Sequence, residues 1–332
     1  MSAILVTGAA GFIGFHVAQH LLAQGELVVG FDNLNDYYEV SLKEDRLAQL
    51  RQHENFSFYQ DDIVNLTSLL EVCKDHEVDR IVHLAAQAGV RYSIENPHAY
   101  IESNVTGFMN ILECARQRKV EHLVYASSSS VYGANSKTPF STSDTVDHPV
   151  SMYAATKKSN ELMAHAYSHL HGLPTTGLRF FTVYGPWGRP DMSPILFADA
   201  ITQQKPLKVF NYGNHYRDFT YIDDIVDGIL RVLKRAPQKT VLSVNNSTPR
   251  PPYKVYNIGA QKPVHLLSFI EFVEQGLEKT TKKEMLPMQP GDVERTFADV
   301  QDLINDTGYQ PKTDVKEGVS KFIAWYRSYY QR

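Results

Sequence analysis

The 332-residue sequence has few cysteines, no long apolar run and no large excess of charge of either sign. Its two cysteines, Cys73 and Cys114, form neither a CxxC pair nor a Cys/His cluster, so nothing in the sequence points to a metal site. Each lies in a predicted helix among apolar neighbours, and we expect two buried, reduced thiols. The net charge of −4 argues against a general nucleic-acid-binding protein, which usually carries a basic face.

The absence of long apolar segments bears on location. No segment approaches the roughly 18 apolar residues that a membrane-spanning helix needs. The run Ile4–Val6 lacks a basic flank and is ended by Gly8, so a signal peptide is not expected. We therefore expect a cytoplasmic protein that has no membrane partner. Its composition, 43% apolar and 21% charged, is ordinary for a globular protein, and its length suits one large and one smaller domain.

Short apolar segments alternate with helical patterns over the first 180 residues. Strands are predicted at residues 4–7, 26–31, 79–84, 122–127 and 175–181. Helices are predicted at residues 12–24, 67–75, 104–116 and 153–170, the last of them capped by Gly172. This alternation predicts an α/β fold in which helices cover both faces of a parallel sheet.

A glycine-rich segment joins the first predicted strand to the first predicted helix. Gly8, Gly11 and Gly14 have the spacing GxxGxxG, and Asp32 ends the second strand. Such glycines permit a positive φ angle, a close approach to a diphosphate and tight helix–strand packing, while the helix start offers N–H groups to phosphates. The Asp32 carboxylate can accept hydrogen bonds from ribose hydroxyls and would repel a 2′-phosphate, which favours NAD over NADP. Taken singly, the glycines fit a tight structural turn, and Asp32 fits a turn or cap residue.

A second region begins after Tyr184, where prolines and glycines cluster in residues 185–190. We predict a Rossmann-type domain with a doubly wound parallel sheet over residues 1–181. Two later segments, roughly 218–236 and 255–260, are predicted to return to this domain. Residues 182–217 and 261–332 would form a smaller α/β domain that binds the substrate. Residues 237–253 contain four prolines and are predicted to form a surface loop.

Tyr153 and Lys157 are spaced i, i+4 and therefore share one face of a predicted helix. A nearby ammonium stabilises a phenolate, so we expect Lys157 to lower the pKa of Tyr153. The phenolate could then take a proton from a substrate hydroxyl while NAD takes the hydride. Ser128, at the end of the strand before this helix, could bond the same hydroxyl. Taken alone, the YxxxK spacing is explained better by two surface residues of a helix than by a catalytic pair. The glycine loop and the strand that ends at Ser128 reverse this preference.

Seven segments carry a resemblance to a known family: TGAAGFIG at 7–14, HLAAQAGVRYSIENP at 83–97, YASSSSVYG at 125–133, YAATK at 153–157, RFFTVYGPWGRP at 179–190, RDFTYIDD at 217–224 and QPGD at 289–292. Together they resemble the extended short-chain dehydrogenase/reductase family, and within it the nucleotide-sugar epimerases. The resemblance covers nearly the whole chain. It implies tightly held NAD, a UDP-sugar in a cleft between two domains, and a cytoplasmic homodimer. The dimer would pair through a four-helix bundle built from helices near 99–116 and 153–170.

The resemblance also assigns residues to the two ligands and to catalysis. Tyr153, Lys157 and Ser128 match the catalytic group. The residues expected to contact NAD are Gly8, Gly11, Phe12, Ile13, Gly14, Asp32, Asn33, Asp62, Ile63, Leu84, Ala85, Ala86, Asn104, Ser127, Tyr153, Lys157, Phe180 and Val183. Those expected to contact the UDP-sugar are Ser128, Ser129, Ser130, Tyr153, Thr182, Arg189, Arg217 on the diphosphate, Asp292 near the uridine ribose, and Arg91, which fits a surface or structural residue equally well.

Two departures from the family pattern suggest the type of sugar. Thr182 replaces an asparagine that most relatives carry, while Ser129 and Ser130 replace the Asp-Glu pair of the dehydratases. Decarboxylating relatives also keep a glutamate at the position of Ser130. These hydroxyls, together with Arg189, could hold the carboxylate of a uronic acid. The alternative is that the serines only cap a strand end.

We therefore expect reversible 4-epimerisation of UDP-glucuronate to UDP-galacturonate through a transient 4-keto sugar, as a step of polysaccharide biosynthesis. Without net redox change, the hydride taken from carbon 4 returns to the opposite face of the sugar. Three alternatives stay open: a decarboxylase or dehydratase, a 4-epimerase of another UDP-hexose, and an NAD-binding scaffold without activity. The identity of the product formed without added cofactor would separate them.

Overall fold

The computed structural model describes residues 2–240, 250–289 and 292–331. Its main sheet has seven strands that are all parallel, in the order β3-β2-β1-β4-β5-β6-β10. They are β1 (Ile4–Thr7), β2 (Val28–Asp32), β3 (Phe56–Gln60), β4 (Arg80–His83), β5 (His122–Ser128), β6 (Thr175–Phe180) and β10 (Tyr253–Ile258). The order reverses direction between β1 and β4, as in a doubly wound dinucleotide-binding sheet. The predicted fold class is confirmed.

Helices alternate with these strands and continue beyond them. The described residues contain α1 (Phe12–Ala23), α2 (Val40–Leu50), α3 (Leu66–Asp75), α4 (Tyr92–Glu95), α5 (Pro97–Tyr100), α6 (Phe108–Arg118), α7 (Met152–His171), α8 (Ser193–Thr202), α9 (Ile222–Leu233), α10 (Leu266–Leu277), α11 (Gln301–Thr307) and α12 (Val315–Tyr330). One π-helical segment, Ile101–Gly107, and two 3-10 segments, Ser129–Tyr132 and Phe210–Gly213, complete the set. The predicted helices and strands of the first domain are present, with ends that differ by a few residues.

Both faces of the main sheet are covered, and β1 shows how the sequence achieves this. Ile4 and Val6 point into one apolar cluster, whereas Leu5 points into the other, because alternate strand residues face opposite sides. α1 packs against α9 on the first side, while α3 packs on α6 and α6 on α7 on the second. Cys73 and Cys114 lie buried as free thiols on the second side, as predicted.

Two predicted elements differ in detail. The helix expected from residue 104 begins instead as the π-helical segment Ile101–Gly107. In a π-helix the carbonyl that would accept an i+4 bond is released, and here the Asn104 carbonyl accepts a bond from Asn160 Nδ2 at 2.6 Å. The strand expected over 175–181 is divided, because the N–H of Phe181 donates to the Ile258 carbonyl and the chain then enters a different sheet at β7 (Thr182–Tyr184).

The second half of the chain adds two small sheets. β7 pairs in parallel with β9 (Tyr216–Tyr221), which pairs antiparallel with β11 (Pro263–His265). β8 (Leu207–Val209) pairs with β12 (Lys283–Met285), and α10 packs against both α8 and α12. The division into a cofactor domain and a substrate domain stays a prediction.

Parts of two predicted segments lie outside the described residues. Residues 241–249 of the predicted surface loop are among them, and so are Pro290 and Gly291 of the QPGD segment. Within the part of the chain that is described, no helix combines the length and the apolar character needed to cross a membrane.

Candidate active site

A cavity of about 1110 Å³ lies at the carboxyl ends of the main-sheet strands and extends to the small sheets. Ligands of doubly wound folds bind at this edge, where the strand order reverses. Every residue assigned to NAD or to the sugar in the sequence analysis lines this cavity, except Asn104. The cavity therefore brings together assigned residues that are up to 284 positions apart in the chain, from Gly8 to Asp292.

Asn104 is placed behind the cavity wall instead of in it. Its side chain is buried and is fully engaged: Oδ1 accepts the N–H of Gln87 at 2.8 Å, while Nδ2 donates to the Gln87 carbonyl and to Thr156. The expected direct contact of Asn104 with NAD stays a prediction, and the structure shows its side chain bonded to Gln87 and Thr156 instead of lining the cavity. Asn104 fixes Gln87, which does line the cavity.

The glycine loop has the tight geometry that a dinucleotide requires. Gly8 has a φ of +71°, and its carbonyl accepts the N–H of Gly11 at 2.9 Å. A Cβ at Gly14 would lie only 2.0 Å from the Gly8 carbonyl oxygen, so a side chain there would force the loop and helix α1 apart. Helix α1 begins at Phe12 with no side-chain cap, which leaves its first N–H groups for an anion.

The second half of the dinucleotide cradle is formed by Asp32 and by the loop after β3. Asp32 accepts the N–H groups of Ala10 at 3.0 Å and Leu34 at 2.9 Å. Burial raises the pKa of this carboxyl, and these N–H groups and the Lys43 ammonium partly offset the effect. Asn33 donates to Asp62 at 2.7 Å, which joins the loops after β2 and β3. Two free ribose hydroxyls suit this fixed, buried carboxylate, so the cradle fits NAD.

The predicted catalytic group meets at one point of the cavity wall. Ser151 caps helix α7 by accepting the N–H of Ala154, so Tyr153 lies in the first turn of this helix and Lys157 one turn later. The phenol of Tyr153 lies close to the hydroxyl of Ser128, at the end of β5. Lys157 donates to the Ala126 carbonyl at 2.9 Å, and burial lowers its pKa to about 8.

The predicted direction of the Tyr153 pKa is wrong. Its pKa is raised, because burial disfavours the phenolate more than the neighbouring Ser128 hydroxyl and the positive charge of Arg189 favour it. Lys157 is not among the groups that lower the pKa of Tyr153, and its ammonium donates to the Ala126 carbonyl instead. The protein alone therefore holds Tyr153 as a neutral phenol.

Hydroxyl groups and one cation surround Tyr153. Ser128 donates to Ser130 Oγ at 3.1 Å and accepts the N–H of Ser130, so the serine run is a 3-10 turn whose hydroxyls stay together. Ser129, Ser130 and Thr182 all line the cavity, as does Arg189. Arg189 forms an ion pair with Asp191, a residue that the sequence analysis did not single out.

The residues predicted to hold UDP also line the cavity. Arg217 donates to Asp292 at 2.8 Å, so the cation and the carboxylate expected near the diphosphate and the uridine ribose are paired with each other. Arg91 lines the cavity with its guanidinium 5.4 Å from the centre of the Phe210 ring. This placement is compatible with a role in the site and leaves the structural alternative open.

Residues 4–259 match the sequence model of the NAD dependent epimerase/dehydratase family. The chain belongs to this family. The resemblance stated from the sequence motifs is thereby confirmed, and NAD is the cofactor of the family. Solved structures of related epimerases include complexes with NAD.

Individual relatives match over the full length. Protein CapI of Staphylococcus aureus is 55% identical, over 99% of each chain. A probable UDP-glucuronate 4-epimerase of Rhizobium meliloti is 47% identical, over 99% of this chain and 98% of the relative. Among solved structures, UDP-glucuronic acid 4-epimerase from Bacillus cereus in complex with UDP-glucuronic acid and NAD superimposes with a TM-score of 0.88 at 33% identity, covering 99% of this chain and 100% of that one.

Two buried groups that support this epimerase-family site were missed in the sequence. Glu161 accepts a bond from Ser127 at 2.7 Å and forms a two-bond ion pair with Arg179, at 2.8 Å for each bond. Glu161 therefore holds the end of β5 from the side away from the cavity, and the Ser127 hydroxyl donates its proton to this carboxylate. A signal was present: Glu161 follows Tyr153 and Lys157 at the same i, i+4 spacing.

Arg46 is the second missed group, and its side chain is fully buried. Its Nη1 donates to the Ala10 carbonyl of the glycine loop at 2.9 Å, and its Nη2 donates to the Trp187 carbonyl at 2.6 Å. A further bond reaches the carbonyl of Gly188, directly before Arg189. One guanidinium thus joins the glycine loop to the loop that carries Arg189. No sequence motif marks this role.

Proposed function

We propose that this protein is an NAD-dependent isomerase that interconverts UDP-glucuronate and UDP-galacturonate at carbon 4 of the sugar. The observation that carries the proposal is the joint placement of Tyr153, the serine run and Arg189 on one cavity wall. The relatives named UDP-glucuronate 4-epimerase support the same substrate. A cytoplasmic location and a role in polysaccharide biosynthesis stay predictions.

The chain's own residues would divide the work as follows. Gly8, Gly11, Gly14 and Asp32 hold NAD, which when bound supplies the acceptor and later the donor of hydride. Tyr153 takes the proton of the sugar's 4-hydroxyl and returns it after the 4-keto sugar has turned over. Lys157 binds beside the nicotinamide ribose; the cationic ring of NAD+ would offset the raised pKa of the phenol.

The carboxylate of the sugar needs separate control. Oxidation at carbon 4 of UDP-glucuronate gives a β-keto acid, which loses carbon dioxide readily when its carboxylate can align with the ketone. We assign Ser129, Ser130 and Thr182 to hydrogen bonds with this carboxylate and Arg189 to its charge. These contacts would keep the carboxylate out of the geometry in which the carbon–carbon bond breaks.

Proton NMR of the purified protein with UDP-glucuronate, without added cofactor, tests the proposal. Signals of UDP-galacturonate are expected. A UDP-pentose would instead identify a decarboxylase, and conversion of UDP-glucose alone would identify a different 4-epimerase. Arg189→Ala is expected to impair turnover of UDP-glucuronate far more than NAD binding. An equal loss of both would indicate misfolding.

We further propose that the protein is a homodimer that pairs through α6 and α7. These packed helices expose apolar side chains that a second copy would cover, among them Leu162, which is 60% exposed, and Met109, which is 37% exposed. Two copies of the helix pair make a four-helix bundle. In analytical ultracentrifugation, Leu162→Glu is expected to sediment as a monomer. Met285→Glu, at an exposed position of a small sheet, is expected to stay dimeric.

A further inference from the structure

The cation assigned to the sugar carboxylate already has a carboxylate partner within the chain. Arg189 Nε donates to Asp191 Oδ1 at 3.0 Å, and Arg189 Nη2 donates to Asp191 Oδ2 at 2.5 Å. Tyr37 OH donates to the same Oδ2 at 3.2 Å. All three residues line the cavity.

This arrangement occupies one complete edge of the guanidinium. A guanidinium pairs with a carboxylate through two parallel N–H donors, and Asp191 uses the Nε/Nη2 pair. A second carboxylate cannot use that edge while Asp191 holds it. A ligand carboxylate must therefore displace Asp191 or accept the poorer position that remains.

The pair differs from the buried ion pair behind the site. Glu161 and Arg179 are 3% and 4% exposed, and the remaining polar atoms of their network have partners within the protein. Arg189 and Asp191 are 21% and 28% exposed and face the cavity. Exchange of one carboxylate for another is therefore possible at Arg189, because Asp191 can be solvated when it is released.

The surroundings explain why an internal carboxylate is needed. Lys43 and Arg46 lie close to Arg189: burial lowers the pKa of Lys43, Asp32 opposes this effect, and both guanidinium charges add to it. Asp191 neutralises part of this positive charge. A neutral sugar that displaced Asp191 would leave Arg189 without a counter-ion, whereas a uronate brings its own.

We propose that Asp191 is an internal competitor of the substrate, a carboxylate that holds Arg189 until the carboxylate of a UDP-linked uronic acid takes over the same guanidinium edge. The inference rests on the proposed function, since it requires that Arg189 binds the sugar carboxylate. It predicts that Asp191 weakens the binding of uronates by competition. A merely structural role for Asp191 predicts the opposite, because Arg189 would then lose its orientation when Asp191 is removed.

Calorimetric titration of the NAD-loaded enzyme separates these outcomes. All variants carry Tyr153→Phe to prevent turnover, and each is titrated with UDP-glucuronate and with UDP-glucose. In Asp191→Asn, the Kd for UDP-glucuronate is expected to fall about two- to fivefold, the range that a partly exposed ion pair allows. The Kd for UDP-glucose is expected to change less than about twofold.

Glu95→Gln is the matched control, because Glu95 lines the same cavity and its loss changes the net charge equally without touching Arg189. Its effect on UDP-glucuronate is expected to be less than half that of Asp191→Asn. Tyr37→Phe removes a hydrogen bond from Asp191 at constant charge and is expected to lower the same Kd by a smaller factor.

Weaker binding of UDP-glucuronate by Asp191→Asn or Tyr37→Phe would overturn the inference, and so would equal changes in Glu95→Gln. These results would leave the proposed function intact as long as the protein with Tyr153 in place epimerises UDP-glucuronate. Absence of that turnover would overturn both.

Discussion

Replacing Gly14 with alanine is expected to impair NAD binding much more than folding. The new Cβ would lie 2.0 Å from the Gly8 carbonyl oxygen and 2.7 Å from its carbon, whereas Cβ atoms essentially never come within 3.0 Å of other heavy atoms. The start of α1 and the turn at Gly8 must therefore separate by about 1 Å. The atoms that clash belong to the backbone, so no side-chain rotation relieves them.

The two consequences differ in size. Overpacking of this kind destabilises a protein by about 1–3 kcal/mol, which a chain of this length tolerates. A displacement of about 1 Å misaligns the backbone N–H groups with the diphosphate, and the loss of one such charged hydrogen bond, about 1.5–3 kcal/mol, is expected to weaken binding about 10- to 100-fold. Gly14→Ala should thus remain folded and yet be purified with little nucleotide.

Gly172→Ala provides the matched control. Gly172 has a φ of +66° at the end of α7, and a Cβ there would meet nothing within 4 Å. Alanine in this conformation is expected to lose about 1–2 kcal/mol of stability without any effect on the site. The measurements are nucleotide content by chromatography, calorimetric Kd for NAD and the free energy of unfolding. If both variants lost NAD in proportion to their stability, or if Gly14→Ala kept its NAD, the steric argument would be refuted.

Three other predictions concern buried groups. Glu161→Leu leaves the Arg179 guanidinium buried without its carboxylate and should lower the free energy of unfolding by about 3–5 kcal/mol, against less than about 1 kcal/mol for Glu317→Gln in an exposed pair. Burial lowers the pKa of His122 to about 4, so the neutral ring contributes stability above pH 6.5 that is lost as the pH falls towards 4. His122→Gln should remove roughly 2 kcal/mol of the loss between pH 7 and 4.5. Tyr153→Phe should lower kcat at least about 100-fold with unchanged NAD content.

Each of these predictions has a result that contradicts it. Equal effects of Glu161→Leu and Glu317→Gln in denaturant titrations would show that the buried pair is not the support we describe. A pH dependence of unfolding that is the same with and without His122 would show that its ring is not desolvated. Rapid turnover by Tyr153→Phe would remove the phenol from the reaction.

Periodicity and loop chemistry predicted much of the fold and residues that the structure brings to one cavity, and the roles of these residues stay predictions. The glycine loop, Asp32, the serine run and the Tyr153–Lys157 spacing each follow from local rules, because their geometry depends on neighbours in the chain. The same rules located the cavity edge, since the carboxyl ends of parallel strands meet there.

What escaped prediction depends on burial and on contacts between distant segments. The raised pKa of Tyr153 results from enclosure by several elements, which no single helix face reveals. The bonds from Arg46 span 141 positions to Trp187, and a lone arginine in an ordinary helix gives no sign of them. Asn104 matched a family position, yet the π-helical segment that contains it turns its side chain to Gln87.

The buried guanidinium of Arg46 has a consequence for the relative position of the two loops that it joins. Because one planar group is bonded to the carbonyls of Ala10, Trp187 and Gly188, a small movement of the phosphate-binding turn carries the neighbouring loop with it. The distance between the glycine loop and the loop at Trp187 and Gly188 is then preserved when the two loops move. Substitutions in the loop at Trp187 and Gly188 must therefore keep these bonds to Arg46, or they will displace the glycine loop as well.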